Sequence, residues 1–379
     1  MRIIMISIPD PSDKLIRSGI IYSIYNQLLK YYEVIWIKPE LKGGASFFYK
    51  LVAKTLRLMN KMGYGVTEHN PLLSKMRCRS IQIQLKEYQY DAIFSFDCMN
   101  IAYLKTDKPI YYRSDGLFHL LIDYYIYNIP QCFVKWGDQV EEKTLENIKC
   151  MFAPSQWVID GAKRYYPNVD FHKISLIESG ANVYSDASFN EHTYLNKSIY
   201  NMIFIGFDVK RKGIDVAYDT LVLLNEKYGV NTCLTIIGGT PEIRIQKDKR
   251  VRCLGKLNKN NPKDLNLFYE ELSNADFFIF PTRAECHGIV NCEACAFGLP
   301  IFSYATGGVP SYVINDFNGF AFSLDSIAVD FAEKIVETIQ NKKLSYYSNN
   351  SRELFETRFN WDVWGSKVNK IILDNYEKK

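Results

Sequence analysis

Hydrophobic positions along the chain fall into short unbroken runs separated by amphipathic stretches. Near the amino end, RIIMIS is followed by a polar loop, then Gly19 opening SIYNQLLKYY, then VIWI. About 200 residues on the order repeats: MIFIG, the loop FDVKRK, Gly213 opening IDVAYDTLVLLNEKYG, then CLTIIGG. Each unit reads as a buried strand, a turn, an amphipathic helix and a second strand. Continuous apolar strands alternating with helices indicate parallel sheets covered on both faces. Two such openings predict an α/β protein of two doubly wound domains. Further strands are expected at 91–96, 109–112 and 151–153 in the first half, and at 251–254, 276–280 and 300–303 in the second. Helices are expected near 263–273, 288–298 and 361–376, and Ser155 is placed to cap one running through Trp157. The segment 185–198 (SDASFNEHTYLNKS) has neither period and reads as a linker. The expected domains are therefore 1–184 and 199–358, with a terminal helical segment, 359–379, packing back toward the first.

A chain of 379 residues has ample length for two cores, and 47% hydrophobic with 23% charged residues is the balance of a soluble globular protein. No run reaches the roughly 18 apolar residues of a membrane span. MRIIMISIPDP is too short in its apolar stretch for a secretory signal, so a cytoplasmic location is expected. Nine scattered cysteines form no disulfide framework. Cys286, Cys292 and Cys295 with His287 lack a second ligand pair at zinc spacing; buried thiols and no metal are expected.

The net charge of +4 is unevenly placed. Residues 1–180 carry 23 Lys and Arg against 18 Asp and Glu, whereas residues 181–379 carry 23 against 24. Residues 42–79 alone hold Lys42, Lys50, Lys54, Arg57, Lys61, Lys75, Arg77 and Arg79 with one acid, Glu68. In SFFYKLVAKTLRLMNKMG, Phe48, Leu51, Val52, Leu58, Met59 and Met62 fall broadly on one helical side, and Lys50, Lys54, Arg57 and Lys61 on another. A basic amphipathic helix of this kind fits either an ordinary docked surface helix or an anionic membrane surface.

In open α/β sheets ligands bind beyond the carboxyl ends of strands, so strand-exit loops hold the candidate site. The most distinctive is PTRAECHGIVNCEACAFGLPIFSYATGG, residues 281–308, with Glu285 and Glu293 eight positions apart around a glycine. The amides of Gly288, Ile289 and Val290 open a helix and suit a phosphate. Lys212, preceded by Arg211, ends the exit loop of this domain's first strand. A cation and a helix N-terminus in one pocket suit a diphosphate; the two glutamates would then address hydroxyls. Asp115, in YYRSDGLFHLL, follows a first-domain strand as either a helix cap or a group orienting an acceptor hydroxyl, and His119 is a weaker candidate of that kind. His287 could pack, cap or contact substrate, and Gly307 and Gly308 could form a turn or border the ligand.

The E-x₇-E pattern in AECHGIVNCEACAFGLP, followed by ATGGVPSYVINDFNGFAF, resembles the retaining glycosyltransferases of family 4, often called group 1. FIGFDVKRKGIDVA, LTIIGG and NADFFIFPTRAE match the flanking elements in order, and RSGIIYSIYNQLL resembles that family's glycine-containing loop. The resemblance implies a GT-B fold, two doubly wound Rossmann-like domains facing a central cleft, and transfer of a sugar from a nucleotide diphosphate donor such as a UDP- or GDP-sugar to a glycan or lipid-linked acceptor. It implies Glu293 on the ribose, Glu285 on sugar hydroxyls, Lys212 and the amides of 288–290 on the diphosphate, and Gly19 in a loop closing over it. It implies no cofactor and no metal, in agreement with the lack of a D-x-D triplet, and no nucleic-acid partner. Phe207 stands where family members often carry an arginine, a charge that Arg211 would supply instead. A nucleotide-sugar epimerase on the same fold and an inactive partner subunit are the alternatives.

Overall fold

The structure, a computed structural model, describes residues 1–59, 64–184, 194 and 197–377. Lys61, Met62 and most of the expected linker lie outside the described residues. The chain divides into two compact units: Met1–Ile16, Ile21–Ile177 and Lys367–Lys379 in the first, Arg17–Ile20 and Glu178–Ser366 in the second.

The first unit is built on six parallel strands, β1 (Arg2–Ile6), β2 (Glu33–Ile37), β3 (Ala92–Ser95), β4 (Ile110–Arg113), β5 (Cys150–Ala153) and β6 (Ile174–Leu176), ordered β2-β1-β3-β4-β5-β6. Ile3 to Ile6, Ile93, Phe94, Met151 and Phe152 are all buried, as sheet residues covered on both faces must be. Helices α1 (Ile20–Tyr31), α2 (Gly43–Met59), α3 (Pro71–Leu85), α4 (Gln131–Asn147) and α5 (Gln156–Tyr165) accompany them. Asn70 caps α3 by accepting from the Leu72 and Leu73 amides at 2.9 and 3.3 Å. Ser155 occupies the cap position of α5 with extended backbone, but its side chain makes no capping hydrogen bond.

The second unit repeats the plan. Strands β7 (Tyr200–Gly206), β8 (Thr232–Gly238), β9 (Val251–Gly255), β10 (Phe277–Phe280), β11 (Ile301–Tyr304) and β12 (Gly319–Phe322) are all parallel and ordered β12-β11-β10-β7-β8-β9. The helices are α6 (Ile214–Glu226), α7 (Pro262–Asn274), α8 (Ile289–Ala296), α9 (Ala328–Gln340), α10 (Leu344–Thr357) and α11 (Trp361–Glu377). Phe204, Phe277, Ile279, Phe302 and Phe331 form its core. α11 runs through both units: Trp361 and Trp364 are buried in the second. In the first, Tyr32 donates to the Asn369 side chain at 2.5 Å and Val368 and Ile372 are buried.

In α2 the structure divides the apolar side read from its sequence. Ala53 and Leu56 are buried, with Tyr49 and Val52 against Leu73, Phe118 and Phe133. Of the apolar side read from the sequence, Phe48, Leu51, Leu58 and Met59 are exposed, as is Phe47; Leu51, Leu58 and Phe47 are 51%, 75% and 72% exposed. Arg77, counted in the basic patch, is buried and bound to Glu68 at 2.6 Å.

Candidate active site

The exits of β7 and β10 bring several polar side chains of the second unit together. After β7 the chain turns through 207–212, and Gly213 begins α6 with φ 78°. A Cβ on Gly213 would lie 2.0 Å from the Pro281 carbonyl oxygen, so only glycine lets the two exit loops touch. Arg211 fastens the contact. Its guanidinium donates to Asp208 at 3.2 Å and to the Ala284 carbonyl at 2.7 Å, while its own carbonyl accepts from the Arg283 amide at 2.8 Å. Arg211 thus clamps the Glu285 loop. Phe207, where the resemblance expects a basic residue, is 63% exposed.

This clamp sets Lys212 against Glu285 in a direct ion pair, with the ammonium also 4.7 Å from the centre of the Phe280 ring. Burial pulls the Lys212 ammonium down, and the Glu285 carboxylate opposes that shift. α8 starts at Gly288 with φ 74°, its first amides unpaired within the helix. The place of a Gly288 Cβ is flanked by Asn291 Nδ2 at 2.7 Å and Glu285 Cγ at 3.1 Å. Asn291 is wholly buried, and neither of its side-chain polar atoms has a hydrogen-bond partner. The Gly307–Gly308 turn belongs to the same cluster, because the Gly308 amide donates to the Glu285 carbonyl at 3.1 Å.

Glu293 lies one and a half turns into α8 and is completely buried. Lys259 donates to its Oε1 at 2.6 Å, while Oε2 has no partner. Sequence reasoning missed Lys259. It sits in a polar loop, and only the packed chain shows which carboxylate it meets. His287 is buried with its ring 6.0 Å from that of Tyr312. The second unit also contains the Gly19 loop, where Arg17 and Ser18 adopt left-handed backbone with φ 47° and 55°. The Asn182 side chain holds the Ser18 carbonyl and accepts from Trp361 Nε1 at 2.9 Å. Cys286, Cys292 and Cys295 are buried free thiols, and among the described residues no three His, Cys, Asp or Glu side chains cluster as metal ligands.

In the first unit, Asp115 forms an ion pair with the buried Arg113, and Leu117 rather than Asp115 holds the cap position of the following turn. The helix-cap alternative for Asp115 is thereby corrected: the buried guanidinium takes its carboxylate. His119 Nδ1 lies 2.8 Å from Asp138, which also accepts from Tyr166 at 3.1 Å, and its ring stacks on Tyr165 at 4.1 Å. The structure thus brings Lys212, Arg211, Glu285, Gly288 and Gly308 together, and places Asp115 and His119 in the other unit.

Residues 190–354 match the family model described as glycosyl transferases group 1. Among curated proteins, the chain is 24% identical over 184 residues to an uncharacterized glycosyltransferase, MJ1178, of Methanocaldococcus jannaschii, spanning 48% of this chain and half of that one. It is 22% identical over 306 residues to the lipopolysaccharide glucosyltransferase WaaG of Escherichia coli, covering 73% and 76% of the two chains. The crystal structure of WaaG superposes with a TM-score of 0.66 at 16% identity, over 98% of this chain and 99% of that one. Anabaena HepE, solved in complex with UDP-glucose, superposes with a TM-score of 0.62 at 13% identity, over 99% and 100%.

Proposed function

With a group 1 glycosyl transferase domain at 190–354 and a GT-B fold as the premise, we propose that the chain is a retaining, family 4 glycosyltransferase. It would move a sugar from a nucleotide diphosphate-sugar to an acceptor hydroxyl in polysaccharide, lipopolysaccharide or glycolipid assembly. The observation that carries this reading is the Lys212–Glu285 pair beside the start of α8. An ammonium and unpaired helix amides suit a diphosphate; a carboxylate suits sugar hydroxyls. A donor entering between them would exchange one ion pair for two separate partners, phosphate on Lys212 and hydroxyls on Glu285. As the anomeric C–O bond breaks, its electron pair passes to the diphosphate oxygen. Lys212 and the amides of Gly288, Ile289 and Val290 stabilise that charge, so the step needs no divalent metal. The open Oε2 of Glu293 would accept from a ribose hydroxyl, and the Gly19 loop would cover the diphosphate. Likeness to a lipopolysaccharide glucosyltransferase and to a UDP-glucose complex supports the donor class.

The acceptor is assigned to the first unit, with Asp115 and His119 as its candidate contacts. We read α2 as the element that brings this unit to a cytoplasmic, anionic membrane face. Phe47, Leu51 and Leu58 point outward among the exposed Lys50 and Lys54, so apolar insertion and charge attraction act from one surface. No described helix is long and apolar enough to cross a membrane.

Incubation with labelled UDP-, GDP- and ADP-hexoses, with and without membrane lipid extract as acceptor, tests the function. Transfer that depends on acceptor, with the donor's anomeric configuration kept in the product by NMR, is expected. Interconversion of donors without acceptor would instead identify an epimerase.

A further inference from the structure

Glu293 is an unusual ribose ligand in one respect: it has no exposure at all. A carboxylate so placed loses its hydration and tends to take up a proton. A protonated carboxyl would present a donor of its own where a ribose hydroxyl needs an acceptor. The residue that opposes protonation comes from the 256–261 loop, between β9 and α7. Lys259 reaches across to Glu293 Oε1 at 2.6 Å, and its ammonium is braced 4.1 Å from the centre of the Phe268 ring on α7. Only 16% of the Lys259 side chain is exposed, so the pair is screened weakly by water.

Several ionisable groups of the neighbouring elements are otherwise engaged. Cys292, next to Glu293 on α8, donates to the Ser179 carbonyl at 3.4 Å. Arg352 on α10 binds the Ala296 carbonyl at 2.6 Å, and Arg358 binds Glu178 at 2.7 Å. Burial pushes the Glu293 carboxyl above its ordinary value, and Lys259 opposes that rise.

We propose that Lys259 is a positioning residue of the donor site, which keeps Glu293 anionic and its Oε2 open, and so sets the pH range over which the nucleotide binds. This rests on Glu293 being the ribose ligand. Two consequences separate it from a merely structural role. With the ammonium removed, Glu293 should protonate at higher pH, and nucleotide affinity lost at neutral pH should return under alkaline conditions. An arginine, which keeps the charge, should keep the affinity.

Calorimetric titration from pH 5 to 9 with whichever of UDP-glucose, GDP-mannose or ADP-glucose the wild type binds tests this directly. These sugar diphosphates stay fully ionised over that range, so any acid limb belongs to the protein. Lys259→Met should move the acid limb of affinity upward by about 1–3 pH units, as loss of an opposite charge beside a carboxylate does. Lys259→Arg should leave the limb within about half a unit of wild type, well inside that shift. Glu293→Gln in the Lys259→Met background should abolish the limb. A Lys259→Met profile parallel to wild type, however weakened, would overturn the role of Lys259, as would a limb surviving in the double variant. If the wild type binds none of the three sugar nucleotides, the donor-site reading itself fails, independently of Lys259.

Discussion

Each unit of the protein contains a glutamate with essentially no exposure; burial pushes both carboxyls up, but the two have different partners. Glu141 in the first unit accepts from the Phe118 amide at 3.0 Å and from the Tyr112 hydroxyl at 3.1 Å, with no cation against it. Burial therefore prevails and pushes its carboxyl up to about 7. Glu293 in the second unit has a lysine at 2.6 Å and one oxygen left open. The first arrangement is complete in itself and ties β4, α4 and the turn at 118–121 together. The second leaves Oε2 of Glu293 without a hydrogen-bond partner. A buried carboxyl is thus no signature of function by itself; one that faces a lysine and keeps an oxygen without a hydrogen-bond partner is the better candidate.

The contrast predicts a graded set of effects. Lys212→Ala should have the largest, lowering kcat by on the order of 10²–10³ because charge on the diphosphate grows in the transition state. Glu141→Gln should leave kcat close to that of wild type, since its hydrogen bonds to Tyr112 and Phe118 lie outside the Lys212–Glu285 cluster. Steady-state kinetics on the two variants would break the comparison if Glu141→Gln proved the more damaging.

Glu141→Gln should act on stability instead. A carboxyl whose folded value is raised contributes stability below its unfolded value near 4.5, and that contribution is lost as pH rises through about 7. The glutamine variant cannot ionise. It should therefore gain on wild type by about 3 kcal/mol between pH 4 and pH 8.5, read as the difference in urea unfolding of the first unit. A constant difference across that range would show that Glu141 stays charged.

Glu293→Ala should weaken binding of the donor by about tenfold to a hundredfold, the value of charge-assisted hydrogen bonds lost, measured by calorimetry at pH 8. The smallest effect belongs to the exposed face of the first unit. Lys54→Gln should cost about 1 kcal/mol, or roughly fivefold, in partition to anionic liposomes at low salt, and nothing on neutral ones. Leu58→Gln should weaken both, which separates insertion from charge attraction.

Much of the fold was legible because parallel strands buried on both faces read as continuous apolar runs. DFFIF, PIFS and MIFIG could hardly be anything else, and they became β10, β11 and β7. β6 and β12 were missed: ISL and GFAF are short, and half-exposed residues interrupt them. The helix at 131–147 escaped because its polar residues and Gly137 blur its period, yet a Cβ on Gly137 would strike the Phe118 ring. The sequence left the docked side of α2 open because hydrophobic residues lie almost all round that helix; Ala53 and Leu56 take the buried positions and Leu51 and Leu58 do not. Around the site, Glu285, Glu293, Lys212 and Gly288 follow strand ends and were readable in order. Lys259 and the Asn182–Ser18 contact depend on partners distant in sequence, which no local pattern announces.

The central claim is that the second unit is a nucleotide-sugar site built around Lys212, Glu285 and the start of α8. Its most direct test is titration of the intact protein with UDP-, GDP- and ADP-hexoses, each alongside its Glu285→Ala variant. One donor class should bind the wild type at one site per chain, with the variant losing affinity for the sugar nucleotide but retaining that for the bare nucleoside diphosphate. Absence of binding to every sugar nucleotide, or equal affinity of both proteins for the one that binds, would contradict it.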